Sequence, residues 1–161
     1  MFALNSFLSG LLLSTAFKPI GLWFAAPLAI ALLIYSINKN GKYFASFATF
    51  AFTFNAAGLI WSNKYVGVTP WIALVLLQSV FYLPLGFLKR IGVSWYFFLP
   101  VAFLALEELR SRFPFGGFGW TRIAFSQVDS PALQIVSIGG VIALSAFTVT
   151  VSILLARIKK Q

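Results

Sequence analysis

The feature that most limits what this chain can become is its succession of long apolar runs. A helix needs about 20 mostly apolar residues to cross a hydrocarbon core of about 30 Å. Six runs approach that length: Phe2–Phe17, Ile20–Ile37, Tyr43–Trp61, Pro70–Leu88, Ile91–Leu109 and Pro131–Ala156. Backbone amides in lipid must find partners inside their own segment. Continuous runs do this as helices, whereas barrel strands would alternate apolar with polar residues. The expected fold class is therefore an all-α integral membrane protein, a six-transmembrane-helix bundle forming a single membrane domain over 1–161. The first run is short and joined to the second only through Lys18-Pro19, which predicts a tight helical hairpin. Ser14-Thr15-Ala16 imitates a signal-peptide cleavage site, but no Lys or Arg precedes the apolar core, so the run is read as a retained helix. Arg110–Ser130 is expected to be one long extracytoplasmic loop, too small for a soluble catalytic domain.

Composition narrows the chemistry. Only 9% of the residues are charged, against roughly 25% in soluble domains. Cysteine and histidine are both absent, which removes thiol nucleophiles, disulfides, thiolate metal sites and imidazole acid–base work. No metal site and no cofactor is expected. The net charge of +9 arises from 12 basic and 3 acidic residues. With the N-terminus taken as cytoplasmic, Lys39, Lys42, Lys89, Arg90, Arg157, Lys159 and Lys160 all fall on the cytoplasmic side, and the short outer connections hold only Lys18 and Lys64. This matches the positive-inside rule and puts both termini in the cytoplasm. The basic excess thus points to membrane topology, and no nucleic-acid partner is expected.

All three acids, Glu107, Glu108 and Asp129, lie in one window together with Arg110, Arg112 and Arg122. Glu107 and Arg110 share a helix face at a spacing of three, so a structural ion pair anchoring the helix end is expected. Glu108 can reach Arg112 four residues on. Beyond them Phe113-Pro-Phe-Gly-Gly-Phe-Gly-Trp120 is too apolar to stand free in water, and its aromatic rings suit the headgroup level. It is expected to dip toward the membrane or pack on the helix ends. The glycines fit neither a Walker loop nor a dinucleotide fingerprint. Guanidinium groups bind phosphate through paired hydrogen bonds, which makes Arg112 and Arg122 candidates for holding a phospholipid headgroup. The plainer alternative pairs Arg122 with Asp129.

Small residues at helical spacing, Ser6, Gly10 and Ser14 in the first run and Gly139, Ala143, Ala146 and Thr150 in the last, read as sites of close helix approach. The polar residues Asn5, Asn55 and Gln78 are read as packing contacts. A solute carrier fits poorly, because no ionisable residue lies at mid-membrane and no inverted repeat is visible. Ser126 has no visible general base, so no catalytic residue is assigned.

The order of motifs carries a resemblance. Glu107-Glu-Leu-Arg110, Gly117-Phe-Gly-Trp120, Phe125-Ser-Gln-Val-Asp-Ser-Pro131 and Gly139-Gly140 resemble the signature of the apolipoprotein N-acyltransferase family. That signature reads E-x-L-R, then G-F-P-W, then S-Q-x-D and P, then a glycine in the next helix. Phe17-Lys-Pro-Ile-Gly-Leu-Trp23 is similar to the family's first hairpin turn, and Gly58-Leu-Ile-Trp61 with Tyr65 to the end of its third helix. Glu107 and Arg110 match E-x-L-R, Trp120 the aromatic, and Gln127 with Asp129 the S-Q-x-D, whereas Gly119 stands where the family usually has proline.

The resemblance implies a protein of the bacterial cytoplasmic membrane. Its relatives move an acyl chain from a membrane phospholipid to the N-terminal diacylglyceryl-cysteine of a lipoprotein. They do so in a nitrilase-like domain with a Glu-Lys-Cys triad, inserted after a seventh membrane helix. A chain without cysteine and with six apolar runs is then expected to be the membrane platform only. It would be a truncated product, or a split enzyme served by a separate nitrilase-like subunit. On that reading Arg112, Trp120, Arg122, Gln127 and Asp129 face the lipid substrates. A non-enzymatic scaffold or lipid-binding protein derived from the family is the alternative.

Overall fold

The computed structural model describes residues 2–158. Lys159 and Lys160, assigned above to the cytoplasmic charge, lie outside the described residues. Among the described residues every regular element is helical: α1 (Phe2–Thr15), α2 (Ala25–Asn40), α3 (Tyr43–Gly58), α4 (Ile60–Val66), α5 (Val68–Val80), α6 (Leu85–Leu88), α7 (Trp95–Arg110) and α8 (Val136–Ile158). Three 3-10 turns, Lys89–Ser94, Ile123–Gln127 and Pro131–Ile135, complete the order.

Two helical stretches, Val68–Gly92 and Pro131–Ile158, are long and apolar enough to cross a bilayer. A third, α3 with α4, qualifies if its 55° bend is counted within one span. The apolar runs are thus more interrupted than continuous hydropathy suggests. The first run ends as a helix at Thr15, so its 14 residues extend only about 21 Å. The third run bends where Leu59 leaves helical geometry (φ −105°, ψ 10°). The fifth begins as a 3-10 turn around Gly92, whose φ of 84° no helix contains. The sixth starts as a 3-10 turn and breaks again at Gly139 and Gly140. Both glycines leave helical geometry at this break, Gly140 with a φ of 66°, and a Cβ at Gly139 would fall 2.6 Å from Ala143 Cβ. The Arg110–Ser130 connection is partly folded, with the Ile123–Gln127 turn within it.

The first two helices do form a hairpin, although its turn is longer than Lys18-Pro19. Gly21 N–H donates to the Phe17 carbonyl at 2.9 Å and Leu22 N–H to the Thr15 carbonyl at 3.0 Å. Along the hairpin Ser9 donates to the Ala29 carbonyl at 2.6 Å, and the Ser6 and Ser36 hydroxyls meet at 3.4 Å. Gly10 faces α3 so closely that a Cβ there would lie 2.5 Å from the Phe50 carbonyl oxygen. Ser6 and Gly10 are therefore close-approach sites, as their spacing predicts, while the Ser14 hydroxyl turns to the Leu11 carbonyl of its own helix. Around this contact Leu13, Ile30, Ile34, Phe47, Phe50, Phe54, Trp95 and Phe103 form the core. Several buried hydroxyls are satisfied along their own helices: Ser79 donates to the Val75 carbonyl, Thr148 to Leu144 and Ser152 to Thr148. Such back-bonding lets polar residues sit in an apolar bundle without leaving a donor unpaired.

The antiparallel run of helices sorts the charged residues to two ends. At one end Lys89 donates to Asn38 Oδ1 at 3.2 Å and lies 5.2 Å from the Trp95 ring centre. Arg157 stands 5.1 Å above the Tyr96 ring, and Arg90 5.3 Å above Phe87. These cations rest on aromatic rings, a contact suited to an end that holds none of the chain's three acids. At the other end Lys18 of the hairpin turn pairs with Asp129. Replacing Gly10 with Val overpacks the α1–α3 contact and should cost about 1–3 kcal/mol. Thermal unfolding in detergent checks this, with Ser14→Ala as a control expected to stay within about 0.5 kcal/mol of the parent.

Candidate functional site

The last turn of α7 carries the residues on which the acid-bearing end is built. Glu107 is 3% exposed and reaches two other segments. Its Oε1 accepts the Ile123 N–H at 2.7 Å, and its Oε2 accepts the Ser145 hydroxyl at 2.9 Å. Ser145 Oγ in turn accepts the Ala124 N–H at 3.1 Å. One carboxylate and one hydroxyl thereby hold the start of the Ile123–Gln127 turn between α7 and α8. Arg110, also buried, donates from Nη1 to Thr121 Oγ1 at 2.6 Å and lies over the Tyr82 ring at 5.6 Å.

The spacing of Glu107 and Arg110 predicts a direct ion pair, and the contacts differ. Among the described residues the ion pairs are Lys18–Asp129, Arg112–Glu108 and Arg122–Glu108. Glu107 accepts from the Ile123 N–H of the returning segment and from Ser145 of α8, while Arg110 donates to the Thr121 hydroxyl of that segment. They still line one small cavity, so their opposite charges share a low-dielectric surrounding.

Glu108 points the other way and takes both remaining arginines. Arg122 Nη2 donates to its Oε1, and Arg112 Nη2 to its Oε2 at 3.3 Å. The expected Glu108–Arg112 contact is therefore present. The alternative pairing of Arg122 with Asp129 is not formed, because Asp129 is taken by Lys18. Two guanidinium groups against one carboxylate leave the cluster with a positive excess. Arg112 is well exposed, while Arg122 is mostly covered and keeps its Nε without a hydrogen-bond partner.

Between these arginines the aromatic segment folds back on the helix end. Phe118 N–H donates to the Arg110 carbonyl at 2.8 Å, and Gly117 N–H to the Pro114 carbonyl at 2.8 Å. Gly117 is obligatory here: its φ is 83°, and a Cβ would fall 2.1 Å from the Ser111 carbonyl carbon. The turn leaves Trp120 67% exposed, with its ring 5.4 Å from Trp61 and 6.2 Å from Phe118. A depression of about 380 Å³ lies between Ser111, Gly119, Trp120, Arg122 and Phe125. A second, of about 400 Å³, continues from Trp120 past Trp61 and Phe125 to Lys18.

Gln127 and Asp129 lie apart from this cluster. Gln127 is buried and donates to the Trp23 carbonyl at 3.0 Å and to Ser126 Oγ at 2.9 Å. Together with Lys18–Asp129 this clamps the loop to the first hairpin turn. The structure thus brings Arg112, Trp120 and Arg122 to one place and turns Gln127 and Asp129 toward another. Gln127 lines a separate apolar groove of about 480 Å³ with Trp23, Pro27, Phe147 and Thr148. Ser145, Thr121 and Lys18 escaped the sequence reading as partners. Ser145 sits among small residues that read as packing, and only Lys18 carried a signal, as one of few outer cations near a lone acid.

Ser145→Ala removes the acceptor of Ala124 and one donor to Glu107, and should destabilise the loop by about 1–3 kcal/mol. Hydrogen exchange should show the Ile123 and Ala124 amides opening first, with the α1–α3 core unchanged. Unaltered protection at 123–124 would remove Ser145 from this role.

A family model described as the apolipoprotein N-acyltransferase N-terminal domain matches residues 9–154. The chain is 30% identical to the apolipoprotein N-acyltransferase of Aquifex aeolicus, over 91% of this chain and 34% of that protein. It is 32% identical to the Haemophilus ducreyi protein of the same name, over 97% of this chain and 33% of that one. For the Haemophilus influenzae relative the figures are 30% identity, 92% and 31%. The chain therefore spans about a third of the length of these relatives. All the matches fall in the region that holds the buried Glu107–Arg110 turn and its returning loop, and the chain belongs to the apolipoprotein N-acyltransferase family.

Proposed function

We propose that this chain is the membrane platform of a bacterial lipoprotein N-acyltransferase, holding phospholipid at its acid-bearing end beneath a catalytic domain carried by other residues or another chain. The observation that carries this reading is the cluster at the end of α7. Two arginines share one carboxylate beside an exposed tryptophan and a depression of about 380 Å³. A phosphate can replace part of the Glu108 contact with Arg112 and take up the free Arg122 Nε, as charge-assisted hydrogen bonds to a planar guanidinium. Trp120 and Trp61 suit the same depth, where amphipathic rings meet headgroups.

On this proposal the six apolar runs all enter the bilayer, four of them (the first, second, third and fifth) as short or bent elements. The end bearing Lys39, Lys42, Lys89, Arg90 and Arg157 faces the cytoplasm, and the loop faces outward. Gln127 and Asp129 are assigned to positioning the loop, given their contacts with Trp23 and Lys18. The lipoprotein N-terminus approaches from the outer face. The chain is catalytically incomplete by itself, because the family's thiol chemistry needs a cysteine and this chain has none.

Two measurements test this. In nanodiscs, Arg122→Ala should lower affinity for a headgroup-labelled anionic phospholipid about tenfold, the loss of one charge-assisted contact. Unchanged affinity in a folded variant would make Arg122 purely structural. Expressed in cells depleted of their own acyltransferase, the chain alone should leave lipoprotein N-termini unacylated by mass spectrometry. Restored N-acylation would overturn the claim that it is incomplete.

A further inference from the structure

Arg110 and Tyr82 each bury a polar atom for which the protein supplies no partner. Arg110 is 1% exposed and Tyr82 4% exposed. The guanidinium gives Nη1 to Thr121, but Nη2 has no acceptor, and the Tyr82 hydroxyl has no partner at all. Both residues line the same small cavity, with Phe81, Phe103, Leu106 and Glu107 completing the wall. Its volume of about 10 Å³ is that of a single water, which needs roughly 10–15 Å³ and two to four polar neighbours.

We propose that this cavity is a binding site for one water molecule, held by Arg110, Tyr82 and Glu107, that fastens the Val68–Gly92 stretch to the end of α7. The chemistry of the lining selects the occupant. Arg110 only donates, Glu107 as a carboxylate only accepts, and a phenol hydroxyl does either. A small neutral molecule with two donors and two acceptor positions satisfies all three at once. A cation is repelled by Arg110, and a halide is both too large for the space and repelled by Glu107. Each Glu107 oxygen already accepts one protein hydrogen bond and has room for another. The aromatic and leucine walls keep the water from exchanging freely and aim its partners at each other.

The site also has a structural consequence. Tyr82 belongs to the stretch between α5 and α6, packs edge-on to Phe103 at 5.5 Å and to Phe50 at 6.0 Å, and lies beneath the Arg110 guanidinium. The water turns this stack into a polar link between the Val68–Gly92 stretch and the turn that docks the loop.

Radiolytic hydroxyl labelling of the whole chain in nanodiscs, read by mass spectrometry in oxygen-18 water, tests the proposal. Bound water generates radicals in place, so Tyr82 and Phe103 should be oxidised about tenfold faster than Phe47, which is equally buried but does not line the cavity. Equal rates at Tyr82, Phe103 and Phe47 would overturn it. Leu106→Phe, which fills the space, should bring Tyr82 down to the Phe47 rate, and persistent labelling there would contradict the site. Should that variant fail to fold, Tyr82→Phe keeps the ring and removes the hydroxyl. Phe103 labelling should then fall, and an unchanged rate would overturn the proposal.

Discussion

A single buried carboxylate holds the acid-bearing end of this molecule together. Glu107 lies at the end of α7 and accepts hydrogen bonds from the Ile123 amide and the Ser145 hydroxyl, so it joins α7, the returning loop and α8. Taking a carboxylate out of water is costly unless its oxygens are satisfied and an opposite charge lies near. Both conditions are met, the second by Arg110 across the cavity they share. Because Ile123 and Ala124 are fixed, Arg122 immediately before them is directed back to Glu108. Trp120 is left standing at the surface beside Trp61. The position of the proposed lipid contacts is thus a consequence of a hydrogen-bonding requirement inside the bundle.

The same logic separates the two ends. All three acids of the chain lie at one end, and at the other Lys89, Arg90 and Arg157 lie over aromatic rings. That arrangement sets the charged groups of Lys89, Arg90 and Arg157 over the rings of Trp95, Phe87 and Tyr96. The acid-bearing end spends its charges internally, on Glu108 with two arginines and on Asp129 with Lys18. It retains the exposed Arg112 guanidinium and the exposed indoles of Trp120 and Trp61.

Much of this was legible in the residues. Long apolar runs required helices, and the spacing of Ser6 and Gly10 marked the face on which α1 meets its neighbours. The four-residue separation of Glu108 and Arg112 gave their contact. What hydropathy does not register is where a run bends, since Leu59, Gly92 and Gly140 are apolar or neutral and differ only in backbone geometry. The partners of Glu107 and Arg110 were equally hidden. A three-residue spacing shows that two side chains can meet, but not that a backbone amide and a threonine returning from later in the chain will offer better-placed hydrogen bonds. Only Lys18 and Asp129, far apart in sequence, could have been matched by charge alone.

The measurement that bears most directly on the whole picture is the side of the membrane on which the loop lies. The chain has no native cysteine, so a single substitution reports its own position. Phe115→Cys, at a fully exposed loop residue, should react with a membrane-impermeant maleimide in intact cells. Lys42→Cys, at the exposed turn between α2 and α3, should react only after permeabilisation. Labelling of residue 42 from outside, or protection of residue 115 until the membrane is opened, would contradict the proposed orientation and with it the role of the Glu107-docked loop.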